Sequence, residues 1–232
     1  MSNLLKSEFY KLLHSWYFLG IGLFNLFLSS VLLLDSNGET SNLFFASLYN
    51  TPLLYFLTIA FAALFVGNDF GGRTLHSYIN AGHKRGHVLF AKALVYEVAC
   101  MIILALPLLV HGLIGLFCLN ETFVAIDGAL ITVITVALSV LAMCMLPFFF
   151  AFIFRDIGKT LAVSMVIFFL MIFLMNGDQA QYISMILPMG QLRLISLQQL
   201  SFSNAYFIII DFLWIFVLYL VAYFGFRCSD LR

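Results

Sequence analysis

Charge is what this sequence has least of. Only 9% of its 232 residues are Asp, Glu, Lys or Arg, against about 25% in a soluble domain. So few charges cannot keep a folded surface solvated, which excludes an ordinary water-soluble domain. The 11 basic and 11 acidic residues cancel, so no excess of positive charge points to nucleic acid. Cysteine is also sparse. Cys100, Cys118, Cys144 and Cys228 form no CxxC pair, which argues against a disulfide framework or a cysteine metal site. They read as small apolar residues. HExxH, GxSxG and Gly-rich Walker sequences are absent, so the chain has no P-loop with which to bind ATP. A cleavable leader is not evident either. The first apolar run, Trp16–Leu34, is too long for a signal-peptide core, and no small-residue cleavage site follows it.

What the sequence has instead is apolar length. Hydrophobic residues make up 63% of it, Phe alone accounts for 27 positions, and the mean hydropathy is +1.07. A helix needs about 20 apolar residues to cross the hydrocarbon core. Six segments meet or approach this length: Ser15–Leu34, Phe45–Gly67, Ala91–Leu119, Phe123–Phe154, Thr160–Met175 and Tyr206–Phe226. The predicted fold is an all-α integral membrane protein with six transmembrane helices, forming one transmembrane domain over residues 1–232.

Orientation follows from where the cations fall. Six crossings place both termini on one side. That side receives Lys6, Lys11, Arg73, Lys84, Arg85, Lys92, Arg155, Lys159, Arg227 and Arg232, ten of the 11 Lys and Arg residues. Arg193 alone falls opposite, beside Asp35, Glu39, Glu121, Asp127 and Asp178. Both termini are therefore expected in the cytoplasm of a multi-pass plasma-membrane protein.

Three segments lie outside the spans. Residues 3–14 place Leu4, Leu5, Phe9, Leu12 and Leu13 near one helical face, with Lys6, Glu8 and Lys11 on others; this spacing predicts an amphipathic helix lying on the membrane surface. Residues 68–90 form a short, polar, glycine-rich cytoplasmic loop, too small for a catalytic domain but suited to docking on a partner. Residues 176–205 contain the apolar run Tyr182–Met189, broken by Pro188 and Gly190. That run is too short to span and is expected to be re-entrant or interfacial.

Candidate chemistry is thin. His83 and His87 are four residues apart, a spacing that puts both on one face of a helix, but Lys84 and Arg85 between them disfavour a metal. No metal site is expected. The ionisable or polar groups inside spans are Asn25, Glu97, His111 and Asp211. Glu97 follows Lys92 by about 7.5 Å along a helix, within reach of the cytoplasmic interface or a neighbouring cation. Asp211 is close to the outer end of its span. Asn25 and His111 suit interhelical hydrogen bonds. Pro107 and Pro147 sit inside spans and favour kinks, while Pro52 falls near the start of its span, where it costs little. No internal repeat relates 1–119 to 120–232, which weighs against a secondary transporter built from repeats.

Two stretches carry a family resemblance. The loop reads Asp69, then Arg73–Thr74, the apolar turn Leu75–Ile79 with Tyr78, then Gly82, Lys84, Arg85 and finally Lys92. The N-terminus reads Glu8-Phe9-x-Lys11-Leu12. Together with the topology they resemble the permease subunit of ABC type-2 exporters, especially small Firmicute peptide-export and bacteriocin-immunity permeases. Asp69 stands where Glu is common, and Gly82 where Pro is common. The resemblance implies that the loop is a coupling helix seated on a separate cytoplasmic ABC ATPase, present in two copies. Leu75, Tyr78 and Ile79 would anchor it, and Arg73, Lys84 and Arg85 would pair with acidic groups or lipid phosphate. It implies a homodimer or paired heterodimer, an amphipathic or antimicrobial peptide as substrate, contact with membrane lipids, and ATP and Mg held by the ATPase rather than by this chain. The chain itself would not be an enzyme. The rival readings are an ion-coupled secondary transporter and a membrane immunity or binding protein that does not pump.

Overall fold

A computed structural model describes residues 1–35, 42–119, 129–177, 180–198 and 204–228. Among these residues every regular element is helical. The elements are α1 (Ser2–Leu13), α2 (Trp16–Asp35), α3 (Leu43–Ala62) continued by a π-helical turn (Ala63–Gly67), α4 (Asn68–Gly71), α5 (Thr74–Asn80), α6 (Arg85–Cys118), α7 (Ala129–Phe154), α8 (Ile157–Met175), α9 (Ala180–Ile186), α10 (Pro188–Ser196) and α11 (Asn204–Arg227). Among the described residues six helices are long and apolar enough to cross a membrane: Trp16–Leu34, Leu43–Gly71, Arg85–Cys118, Leu130–Phe154, Ile157–Met175 and Asn204–Arg227. Residues 123–128 of the expected fourth span lie outside the described residues, as do Glu39, Glu121, Asp127, Asp178 and Arg232. The third long helix starts at Arg85 rather than Ala91, so the expected loop ends sooner. His83 precedes this helix and His87 lies within it, so the two do not share a helical face.

Helices α3, α6 and α7 form the centre, and α2, α8 and α11 flank them. The flanking helices expose large apolar side chains such as Leu23, Phe27, Phe169, Phe173, Phe212 and Phe216. An apolar surface of this kind cannot face water and needs lipid or another protein over it. Aromatic rings fill one end of the core. Phe61 stacks on Tyr96, with centroids 5.9 Å apart, and Phe148, Phe152, Phe70 and Phe226 continue the cluster.

Prolines inside helices leave carbonyls without their usual donor four residues on, and in an apolar interior each needs a replacement. Pro107 lies in α6 and Pro147 in α7. The carbonyl four residues before Pro107 belongs to Ile103, and Asn25 Nδ2 of α2 donates to it at 2.6 Å. The carbonyl four residues before Pro147 belongs to Met143, and the buried Tyr55 hydroxyl of α3 donates to it at 2.8 Å. The Tyr96 hydroxyl donates to the next one, Cys144, at 3.1 Å. Both breaks are thus held by a side chain from a neighbouring helix. Pro52 does not lie near a helix start: α3 begins at Leu43, which places the proline well inside it.

Helices α9 and α10 form a tight hairpin. Pro188 opens the first turn of α10, with Leu187 in extended conformation as its N-cap. All of α10 except Arg193 is buried, against α3 and α7 among others. Gly190 permits the close approach of the two helices, because a Cβ there would run into the backbone of Ser184.

Candidate functional site

The cations gather at one end of the bundle, where α1, the π-helical turn, α4, α5, the start of α6 and the end of α11 meet. Helix α1 packs against α6 through Leu4, Glu8 and Leu12, a stripe of residues four apart that is fully buried. Glu8 was expected on a polar face; instead it points inward between two leucines. Its Oε2 accepts from Lys92 Nζ at 2.9 Å. The same ammonium pairs with Asp69, and Asp69 also pairs with Lys11. Lys92 is 0%, Glu8 1% and Asp69 2% exposed.

The four charges sum to zero. Phe65, carried on the π-helical turn, presents its ring 3.8 Å from Lys92 Nζ and 5.7 Å from that of Lys11, within cation–π range. Single π turns inside α-helices are frequent at functional sites; this one falls just before Asp69. The cluster ties three segments together: the N-terminal helix, the end of α3 with α4, and the first turns of α6. A buried ion pair adds little stability over well-packed apolar residues, but breaking it is costly, so it fixes position rather than adding strength.

The remaining loop residues divide into rooted and projecting sets. Leu75 is completely enclosed by the chain's own core, and Tyr78 and Ile79 pack against it. The resemblance implied that these three anchor the loop in a partner; Leu75 is enclosed within the chain, and Tyr78 and Ile79 are half-buried. The Tyr78 hydroxyl shares a 3.0 Å hydrogen bond with Ser7 Oγ. Burial pushes the Tyr78 phenol above its usual range. The Ser7 bond works against that shift, and the Glu8 and Asp69 carboxylates add to it. Arg73 and Lys84 are exposed, and Thr74 half-buried. Arg73 holds a left-handed conformation with φ 55°, which is uncommon for a residue with a Cβ. Gly82 has φ 89°, which proline, locked near −65°, cannot adopt.

Arg85 has a structural partner. Its Nη1 donates to the carbonyls of Phe226 and Arg227 at 3.2 and 2.9 Å, and Arg155 Nη2 donates to Gly225 O at 3.4 Å. Both guanidinium groups thus cap the C-terminal end of α11, where carbonyls lack helical donors. Phe9 is half-buried against the core and Leu12 fully buried.

The intramembrane polar residues fall into separate places. Asn25 serves the Ile103 carbonyl, as above. His111 bridges Ser47 Oγ at 3.1 Å and Ser30 Oγ at 3.0 Å, joining α2, α3 and α6. Both carboxylate oxygens of Glu97 are buried without a hydrogen-bond partner, and none of the described ion pairs involves it. Asp211 Oδ2 lies 2.6 Å from Ser139 Oγ. Arg193 sits at the end opposite the charge cluster, donating to Met175 O and Asn176 Oδ1. Sequence reasoning missed Lys92 as the hub, and Phe65, Ser139 and Gln191 altogether. Lys92 did carry a signal: a lysine flanked by Ala91 and Ala93 in an apolar run needs a counter-ion unless it reaches water.

No known protein-family profile matches this chain, and no curated protein matches it.

Proposed function

We propose that this chain is the permease subunit of an ATP-binding-cassette exporter in a bacterial plasma membrane, with both termini cytoplasmic. It moves an amphipathic or antimicrobial peptide outward, works as a dimer of permeases, and is powered by a separate ATPase. The charge asymmetry along the sequence supports this orientation, with α1 lying at the inner membrane surface and the α9–α10 hairpin entering from the outer side.

One observation carries the reading. The loop between α3 and α6 is rooted in the core through Asp69 and Leu75, yet projects the exposed Arg73 and Lys84. A short cationic knob fixed rigidly to three helices is suited to receive a push from an acidic groove and pass it on. The docking surface is then the polar face around Arg73 and Lys84, with Arg85 occupied in holding α11.

The test is to purify the tagged full-length chain gently from its host and identify any soluble ATPase that comes with it. Arg73→Glu with Lys84→Glu is expected to abolish that co-purification while membrane insertion stays normal. Transport that persists with no ATPase present would overturn the reading. It would favour the ion-coupled alternative, which draws its support from the buried carboxylates of Glu97 and Asp211.

A further inference from the structure

Ser139 of α7, Gln191 of α10 and Asp211 of α11 are all completely buried and meet at one point. Ser139 Oγ lies 2.6 Å from Asp211 Oδ2 and 3.2 Å from Gln191 Oε1. Gln191 Nε2 donates to the Met185 carbonyl of α9 at 3.3 Å. Asp211 Oδ1 is buried with no hydrogen-bond partner.

The protons in this group do not add up if Asp211 is ionised. A serine hydroxyl has one proton to give, but both of its neighbours here would be acceptors. Turning the Gln191 amide over does not help, because its oxygen would then face the Met185 carbonyl, acceptor against acceptor. One extra proton on Asp211 Oδ2 resolves the whole chain. Asp211 then donates to Ser139, Ser139 donates to Gln191 Oε1, and Gln191 donates to Met185 O.

No cation among the described residues takes the place of that proton. Neither α7 nor α9 carries a charged residue; their titratable groups are Cys144, directed at Thr58, and the exposed Tyr182. Arg193 of α10 is directed at Met175 and Asn176. On α6, Arg85 holds the far end of α11, Lys92 is engaged by Glu8 and Asp69, Glu97 has no ion pair among those described, and His111 bridges two serines. On α11 itself, Tyr219, Tyr223 and Arg227 lie further along towards the cationic end, and Tyr206 stands at its start, beside Phe207. An ionised carboxylate with no counter-ion in such a place carries a large desolvation cost.

We propose that Asp211 is a proton-binding site, and that its bound proton completes a hydrogen-bond chain tying the α9–α10 hairpin to α7 and α11. Losing the proton commits the Ser139 hydroxyl to Asp211 and strips Gln191 Oε1 of its donor, loosening the hairpin. This holds whatever the chain transports.

The test uses the full-length protein in phospholipid vesicles, with aspartate carboxyl-labelled with carbon-13. Infrared spectra at neutral pH are expected to show one carboxylic-acid carbonyl band shifted by the label, which separates it from Glu97. The band should be absent from Asp211→Asn. An unvaried protein without such a band has every aspartate ionised, and the proposal fails. Amide exchange in α10 gives the second readout. Above the pH at which the band disappears, it should run about five- to tenfold faster than in Asp211→Asn at the same pH, the size of one lost hydrogen bond. Equal exchange in the two proteins would show that the proton does not hold the hairpin.

Discussion

Replacing Lys92 with Met keeps an unbranched stem of similar length and removes only the ammonium. In the native cluster Glu8 and Asp69 are balanced by Lys11 and Lys92. After the substitution Asp69 keeps Lys11, which is about one-third exposed at its side chain, but Glu8, 1% exposed, loses its only ion-pair partner among the described residues. Breaking a buried pair from one side costs about 3–5 kcal/mol, because the stranded charge stays desolvated. The lost cation–π contact with Phe65 is worth about 0.5–2 kcal/mol, and a Met thioether against the same ring returns about 0.3–1.5 kcal/mol, so these two nearly cancel. The expected loss for Lys92→Met is therefore about 3–5 kcal/mol. Unfolding of the full-length chain in mixed detergent–lipid micelles, followed by tryptophan fluorescence and circular dichroism, measures it. Adding Glu8→Gln should restore a large part of the loss, since the stranded charge is then gone, and the double-mutant cycle gives the coupling directly. A cost below about 1 kcal/mol, the value for solvated pairs, with no coupling to Glu8, would refute the view that these charges are buried and interdependent.

Other substitutions probe the rest of the fold. Asn25→Leu leaves the Ile103 carbonyl without its donor and should cost about 1–2 kcal/mol in the same unfolding assay; Tyr55→Phe should act likewise on Met143. Gly190→Ala pushes a methyl into the Ser184 backbone and should destabilise by about 1–3 kcal/mol, read as a lower thermal midpoint, with faster exchange confined to α9 and α10. Tyr78 should ionise above the ordinary 10.0, visible as the phenolate absorbance missing from Tyr78→Phe. Its phenol keeps its proton in the folded chain after the unfolded chain has lost it. Its contribution to stability is therefore full below about pH 10 and declines as the pH rises beyond that.

The long helices were legible because crossing a bilayer leaves a direct mark on sequence: some 20 apolar residues in a row. The hairpin was partly legible through the Pro188 and Gly190 breaks, although the reason for Gly190, the backbone of Ser184, lies in tertiary contact. The charge cluster was not legible. A glutamate among lysines in an amphipathic segment reads as polar face, and nothing local reveals that Glu8 shares a stripe with Leu4 and Leu12. Its partner Lys92 lies 84 residues further along. The π-helical turn has no marker in Ala63–Gly67, since the extra residue is accommodated by backbone geometry. Pro107 and Pro147 announced breaks, but whether a break is a hinge or a fixed bend depends on what meets the freed carbonyl, and Asn25 and Tyr55 come from other helices. The docking role of Leu75, Tyr78 and Ile79 came from the resemblance; whether a partner or the chain itself covers apolar residues of a polar loop is decided by tertiary contact, which here encloses Leu75.

The connections at the cationic end also define what can move together. Asp69 stands just after the π-helical turn, Lys92 lies two turns into α6, and Glu8 is in the middle of α1, so the ion pairs fasten the loop to three elements at once. Arg85, at the first residue of α6, holds the last carbonyls of α11. The π-helical turn meets α8 closely as well: a Cβ on Gly67 would stand 3.3 Å from the Ile157 backbone. A displacement of α4 and α5 would therefore be carried by stiff contacts to α1, α3, α6, α8 and α11. Helix α2 is different. It follows α1 after a turn at His14 and Ser15, its main contacts are with α3 and α6, and of its side chains between Trp16 and Leu34 only Asn25 and Ser29 are fully buried. Motion passed from the loop through α1 would reach α2 at its end, and α2 would hand it to α6 at two further points, where Asn25 meets the Ile103 carbonyl and Ser30 meets His111.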